Sequence, residues 1–290
     1  HFMIFILCHK LIPKVRSVAN YMKKSLIIDL IAKWEDGQSR GLGKGERNSY
    51  LPWINIRTFH SETSRYRVPS SKLNRTVHLM SSGELNVFQY LEWQDNVYDI
   101  KEQYPLDPHL TCEIARNMGI LHPGYCNGGM VMTSDFLVSM RTKNGNLEDF
   151  AIQVKYSDKD IDRRTLEKIR IEKGYWDAKG VTFQLIYSST MSSVLIKNLN
   201  CLYRMRQEIY PEEDLLKLFN VFGKLREALY DVMVSALPDT HYIEVPSGAR
   251  YTIREGIQIL CAKKFLKFPV NLKLLNDCML GEVEESQVDV

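Results

Sequence analysis

Apolar and polar residues alternate in two neighbouring segments near the middle of the chain, residues 133–140 and 150–155. Alternation with a period of two is typical of half-buried β-strands, and the polar stretch between the segments predicts a hairpin loop. Polar residues interrupt the pattern at Asp135 in the first strand and at Gln153 and Lys155 in the second. The two-residue spacing places Gln153 and Lys155 on one face of their strand.

The length of the hairpin loop decides whether Asp135 joins the other two polar side chains. A two-residue turn would set Asp135 opposite Val154, pointing away from Lys155. A three-residue loop, with Gly145 in the left-handed conformation, would set Asp135 opposite Gln153. If these residues form one site, we therefore expect the three-residue loop.

Helical patterns surround these strands. Ser81 and Glu84 fit a capping box before a helix over residues 85–94, and this cap accounts for Glu84 without a functional role. Alternatively, the apolar face of that helix turns the Glu84 carboxylate inward, where it needs a cation. A helix over 162–178 and a buried strand over 181–187 follow the hairpin, so the sequence predicts an α/β domain.

The character of the chain changes after about residue 188. The predicted elements are helices over 193–205, 211–236 and 252–265, the last opened by a Thr252/Glu255 capping box, and a short strand over 265–269. Helices followed by a small hairpin predict a winged-helix-like domain over 189–280. The acidic segment 281–290 is predicted to be disordered.

Residues 1–49 are interpreted as an extension and linker before a domain that begins at Tyr50. The first residues are apolar but too few to span a bilayer, and their basic residues follow the apolar run, unlike those of a signal peptide. A more conventional start lies at Met22, so residues 1–21 are interpreted as non-native or upstream sequence. A short helix is expected over 25–33, and the glycine-rich stretch from Glu35 is expected to be a linker.

Composition and net charge exclude few classes of function. The chain has 290 residues, of which 44% are hydrophobic and 25% charged, and a net charge of +3 that permits a nucleic-acid partner without requiring one. The six cysteines include no C-x-x-C pair, which favours reduced thiols in a cytoplasmic protein and argues against a structural zinc.

Basic residues cluster before the first predicted helix of the domain. The cluster comprises Arg57, Arg65, Arg67, Lys72 and Arg75, with Glu62 as its one acid. It is either a solvated surface or a strip that contacts DNA phosphates, since binding to the DNA backbone needs several cations along one face.

The polar residues of the central strands suggest a chemistry. Phosphodiester hydrolysis requires an activated water and compensation for growing negative charge, which carboxylate-held divalent metals and a nearby lysine supply. Glu84, Asp135 and Lys155, with Gln153, form such a candidate set, although a single Asp or Lys at a strand end is usually just solvated. Oxygen ligands without a His or Cys cluster indicate magnesium or manganese. His122 is left open between a ligand, a base and a structural residue.

Several ordered motifs between Tyr50 and Tyr187 resemble those of the TnsA family. They are Ser81–Leu85, Leu91–Trp93, Asp99–Leu106, Ile120–Pro123, Thr133–Val138, Ala151–Lys155 and Arg164–Lys168. TnsA proteins are the endonuclease subunits of heteromeric cut-and-paste transposases. The resemblance implies a restriction-endonuclease-like catalytic domain over 50–188, with a mixed sheet flanked by helices.

The resemblance also implies roles for individual residues. Glu84 and Asp135 would hold Mg²⁺ or Mn²⁺, the backbone carbonyl of Val154 would join them, and Lys155 would assist the attacking water. Gln153 stands where many nucleases of this fold place a second acid, and glutamine is what TnsA has there. Every member of the predicted catalytic set is present.

Partners are implied by the same resemblance. The family cuts the 5′, non-transferred strands of double-stranded transposon ends, while TnsB cuts and joins the 3′ ends. The C-terminal domain would meet the ATP-dependent regulator TnsC. No membrane association is expected, and the protein would work in the bacterial cytoplasm, at the nucleoid when active.

Two other interpretations remain open from sequence. One is a stand-alone restriction or repair nuclease with the same core. The other is a non-catalytic DNA-binding or assembly module, which the retention of Glu84, Asp135 and Lys155 argues against.

Overall fold

A computed structural model describes residues 24–56, 64–123 and 130–286, so the predicted extension over 1–21 lies outside the described residues. The chain divides into two compact units: unit 1 ends at Thr190 and unit 2 begins at Met191. Among the described residues, no helix is both long and apolar enough to cross a membrane.

Seven helices and ten strands are named here in chain order. The helices are α1 (Lys24–Ser39), α2 (Ser82–Trp93), α3 (Pro108–Asn117), α4 (Arg163–Lys179), α5 (Ser193–Gln207), α6 (Glu212–Ala228) and α7 (Ile253–Ala262). The strands are β1 (Tyr66–Ser70), β2 (Arg75–Leu79), β3 (Val97–Pro105), β4 (Thr133–Arg141), β5 (Leu147–Lys155), β6 (Thr182–Tyr187), β7 (Tyr242–Glu244), β8 (Arg250–Thr252), β9 (Leu266–Lys267) and β10 (Glu284–Glu285).

Unit 1 is built on a four-stranded sheet in the order β3-β4-β5-β6. The first three strands are antiparallel, and β6 runs parallel to β5 because α4 carries the chain back between them. Leu137 and Ala151 of the sheet belong to one buried cluster with Ile171 and Trp176 of α4. The predicted mixed sheet flanked by helices is confirmed.

The β4–β5 hairpin has the three-residue loop expected if the polar residues form one site. Beyond the pair Arg141–Leu147, the Thr142 N–H donates to the Asn146 carbonyl at 2.8 Å, and Gly145 in the loop has a φ of +83°. At the other end the ladder stops at Phe136–Ile152, so Asp135 lies one residue beyond it, level with Gln153.

The linker predicted from Glu35 is wrong at its start, because α1 continues to Ser39. Its tryptophan Trp34 packs on Trp53 with ring centroids 5.4 Å apart. This aromatic contact holds the end of α1 against the segment that leads into the domain, so local glycine content does not end the helix.

Unit 2 contains α5, α6 and α7 with the β7–β8 hairpin and the β9–β10 strand pair. The capping box at Thr252 and Glu255 is confirmed, but the β7–β8 hairpin before it was not predicted. Helix α6 ends at Ala228, well before the predicted end at Ala236. Beyond Ala228 the backbone bonds to another segment instead of continuing the helix. The carbonyls of Tyr230 and Val232 accept hydrogen bonds from the N–H groups of Gly281 and Leu280.

The prediction of a disordered tail is wrong as far as Glu285. Leu280 and Val283 are fully buried, and β10 pairs with β9. Two apolar side chains at the right spacing therefore outweigh the acidic composition of the segment.

Candidate active site

The four predicted catalytic side chains, Glu84, Asp135, Gln153 and Lys155, line one cavity of about 500 Å³ in unit 1. They come from three elements, because Glu84 lies in the first turn of α2, Asp135 on β4 and the other two at the end of β5. The hairpin register and the approach of α2 to the sheet bring them together.

Glu84 is both part of a helix cap and part of the cavity wall. Its N–H donates to the Ser81 hydroxyl oxygen at 3.1 Å, which is the Ser81 half of the predicted capping box. Its carboxylate nevertheless turns inward and is only 6% exposed; Oε1 accepts from the Ser81 hydroxyl and Oε2 from the Met80 N–H at 2.9 Å. The two alternatives left open from sequence are therefore compatible.

The start of α2 lies close to β5 at Gly83. A Cβ added there would lie 3.3 Å from Val154 Cγ1 and 2.8 Å from Ser188 Oγ. The absence of a side chain at Gly83 thus allows the helix to approach the strand that carries Lys155.

Asp135 is fixed by the strand opposite. Its Oδ2 accepts a hydrogen bond of 2.7 Å from the Val154 N–H. Burial raises the pKa of Asp135, and the Lys155 ammonium opposes that rise. Burial and the Asp135 carboxylate together raise the pKa of Glu84 to about 8. Two buried carboxylates that disfavour each other's charge form a site that a cation would stabilise.

The donor set fits a divalent metal with hard oxygen ligands. Gln153 contributes a buried Oε1 with no hydrogen-bond partner in the structure. Within the described part of the chain, no three His, Cys, Asp or Glu side chains are grouped as a metal site. The site therefore offers two carboxylates supplemented by neutral oxygens, a combination suited to Mg²⁺ or Mn²⁺.

Of the other polar residues that line the cavity, Glu172 and Gln103 were not singled out from sequence. Glu172 Oε1 accepts from the Ser134 hydroxyl at 2.6 Å, and burial is the main cause that raises its pKa to about 8. A signal was available, because Glu172 falls at helical spacing from the apolar Ile169 and Trp176 of α4. Gln103 had no comparable signal beyond its place in a family motif.

The basic cluster does not form a single exposed strip. Arg75 makes a bidentate pair with Glu102, with distances of 2.7 and 2.6 Å, and its side chain is 8% exposed. Lys72 donates to the carbonyls of Gln94 and Val97. We therefore correct the prediction that Lys72 and Arg75 contact DNA, because both side chains bond groups of the protein itself.

The other members of the cluster differ. Arg67 is exposed on β1, whereas Arg65 is half-buried and donates to the Ile56 carbonyl at 3.1 Å. Arg57 lies outside the described residues.

His122 has a structural environment. It is buried, and its Nε2 lies 3.0 Å from the Thr111 hydroxyl. Burial, with a contribution from Arg164, lowers its pKa to about 4, so the ring is neutral at pH 7. His122 does not line the cavity that holds the four predicted residues.

Comparison with known proteins agrees with this geometry. Residues 94–188 match the family model described as TnsA-like endonuclease N terminal. The Tn7 transposition protein TnsA of Escherichia coli is 35% identical over 230 residues, which cover 79% of this chain and 83% of that protein. The chain belongs to the TnsA family.

Membership of the TnsA family makes this protein a DNA endonuclease and the endonuclease subunit of a transposase. The region matched by the family model contains the whole β3-β4-β5-β6 sheet and three of the four predicted catalytic residues. The mixed sheet is therefore the restriction-endonuclease-like core of the TnsA family.

Proposed function

We propose that this protein hydrolyses the 5′, non-transferred strands at the ends of a transposon, in a reaction that depends on Mg²⁺ or Mn²⁺. The observation that supports the proposal is the convergence of Glu84, Asp135, Gln153 and Lys155 on one cavity. Membership of the TnsA family favours this activity over that of a stand-alone nuclease.

The residues of the cavity have different roles in the proposed hydrolysis. The carboxylates of Glu84 and Asp135 and the carbonyl of Val154 would hold the metal, while the Val154 N–H keeps Asp135 in place. When bound, the metal supplies charge compensation and lowers the pKa of the attacking water. Lys155 orients that water, and Gln153 offers its unpaired amide oxygen to the same site.

Double-stranded DNA at the transposon ends is the proposed substrate, and unit 1 is the more basic unit. Residues 1–190 carry 26 lysines and arginines against 21 acids, whereas residues 191–290 carry 12 against 14. A positive balance favours contact with phosphates. Arg67 and Arg65 are the members of the basic cluster that we retain for this contact.

Unit 2 is proposed to be the winged-helix-like part that docks a TnsB-like transposase subunit and a TnsC-like ATP-dependent regulator. Its small acidic excess disfavours DNA, and apolar side chains such as Ile209, at 96% exposure, and Leu272, at 82%, suit a protein partner. We place the protein in the bacterial cytoplasm, at the nucleoid when it acts.

The test is strand-specific cleavage by Asp135→Ala. Transposon-end duplexes labelled on either strand are incubated with the protein, its partner subunits and Mg²⁺, with chelation as the metal-free control. Loss of a metal-holding carboxylate removes several kcal/mol of charge compensation, so 5′-strand cleavage is expected to fall by at least about 100-fold.

Asp149→Ala is the matched control, because its carboxylate lies on the same hairpin, accepts from the Ser139 hydroxyl and does not line the cavity. It should cleave normally. Full 5′-strand cleavage by Asp135→Ala would refute the site assignment. Loss of 3′-strand cleavage in Asp135→Ala, with 5′-strand cleavage kept, would refute the strand assignment.

A further inference from the structure

Gln103 has an unusual backbone for its place in the fold. Its φ is +48°, and the other non-glycine residues with positive φ in the described part of the chain lie outside strands. Gln103 lies within β3, between the paired residues Glu102 and Tyr104. A left-handed conformation at a non-glycine residue is strained and persists only where its surroundings enforce it.

The side chain of Gln103 faces both carboxylates of the candidate site. It is 4% exposed, and its Nε2 donates to Glu84 Oε2 at 3.2 Å. The same amide lowers the pKa of Asp135 through hydrogen bonding and so opposes the effect of burial. The Thr133 hydroxyl donates to Gln103 Oε1 at 3.2 Å, so the NH₂ end is the one turned to the acids.

Contacts on either side hold the strained backbone in place. The Gln103 carbonyl accepts from the Trp53 N–H at 3.3 Å. The neighbouring Glu102 carboxylate is held by Arg75, and Glu102 keeps its pairing with Phe136 of β4. The strand therefore keeps its register through Gln103 while the amide points into the cavity.

We propose that Gln103 is a positioning residue whose amide holds the Glu84 and Asp135 carboxylates at the separation that one divalent cation requires. This inference rests on the proposed metal-dependent function. An amide NH₂ carries two hydrogens, so it can hold one oxygen of each acid without adding charge. Groups that orient metal-holding side chains typically contribute 10- to 100-fold to metal affinity.

Gln103→Gly separates the effect of the backbone strain at this position from the effect of the side-chain amide. Glycine adopts a positive φ without strain, which offsets part of the hydrogen bonding lost with the side chain, so the variant should stay folded. It has no amide, so Mn²⁺ affinity, measured by calorimetry on the full chain, should fall by about 10- to 100-fold. Gln103→Met, of similar length but without a donor, is measured in parallel and should lose the same affinity.

Asn74→Gly is the matched control, because Asn74 has a φ of +54° in the turn between β1 and β2 and does not line the cavity. It should bind Mn²⁺ like the wild type. Wild-type Mn²⁺ affinity in either folded Gln103 variant would overturn the inference. So would a Gln103→Gly protein that unfolds at lower temperature yet binds Mn²⁺ normally.

The comparison with Asp135→Ala keeps the inference distinct from the proposed function. If Asp135→Ala loses Mn²⁺ binding and Gln103→Gly keeps it, the metal site stands and the positioning role is refuted. If the wild type binds no Mn²⁺, both are refuted.

Discussion

Buried polar side chains have different roles in the two units of the chain. In unit 2, Asn198 donates to the carbonyls of Val270 and Lys273 and accepts from the Leu275 N–H, so its hydrogen-bonding groups stabilise a loop. Asp214 similarly accepts from the N–H and hydroxyl of Ser247. These buried groups are satisfied by the segments that they hold.

The cavity of unit 1 is built in the opposite way. Glu84 and Asp135 face each other at raised pKa, and the amide oxygen of Gln153 has no partner. Such an arrangement costs stability, because buried charge and unmade hydrogen bonds are unfavourable. The difference lies in how the groups are used: Asn198 and Asp214 bond the segments that they hold, whereas the cavity gathers two carboxylates of raised pKa and an unpaired amide oxygen, which indicates chemistry.

Arg75→Met should have the largest effect and would show that unit 1 also contains polar groups of the structural kind. It leaves the buried Glu102 carboxylate without its partner, which typically costs about 3–5 kcal/mol in the free energy of unfolding. Chemical denaturation measures the loss. Arg67→Met, at an exposed position on β1, should unfold like the wild type. Equal losses in the two variants would contradict the structural role of Arg75.

Lys155→Arg tests whether the cavity needs position as well as charge. Arginine is longer and planar, and a misplacement of ~1 Å can cost on the order of 100-fold in rate. We therefore expect 5′-strand cleavage nearly as low as that of Lys155→Ala, with metal binding and folding kept. Lys159→Arg, in the exposed turn after β5, is the control. Near-normal cleavage by Lys155→Arg would show that charge alone suffices.

Asp214→Ala should have the smallest effect of the three, and it should be confined to unit 2. The loss leaves the Ser247 N–H and hydroxyl without their acceptor and is expected to cost about 1–3 kcal/mol in unfolding. Glu213→Ala, in the same helical turn but exposed, should cost little. Cleavage by unit 1 should persist in both variants, and a cleavage defect in Asp214→Ala alone would break the separation between the units.

Local chemistry explains what sequence could predict. Alternation and the glycine at position 145 are readable along the chain and left two registers for the β4–β5 hairpin, of which the expectation of a shared site selected the one observed. The cap at Ser81 is equally local. Asp135, Gln153 and Lys155 met in one cavity because that register was right.

Long-range contacts explain what sequence could not predict. The pairing of Arg75 with Glu102 joins positions 27 residues apart, so the arginine looked like a surface cation. The positive φ of Gln103 is held by contacts with Trp53, Glu84 and Thr133, which are distant in the chain, and it leaves no trace in composition. The order near Val283 depends on a strand partner that the acidic composition concealed.

Gly83 has a consequence for how this site can change. The residue beside Glu84 carries no side chain, and a methyl group there would lie 2.8 Å from Ser188 Oγ, so that Ser188 would have to shift. The spacing between the two acids is thus adjustable through the bulk of a neighbour that performs no chemistry. A graded series of small side chains at position 83 would move the start of α2 away from β5 by tenths of an ångström and so increase the distance between Glu84 and Asp135.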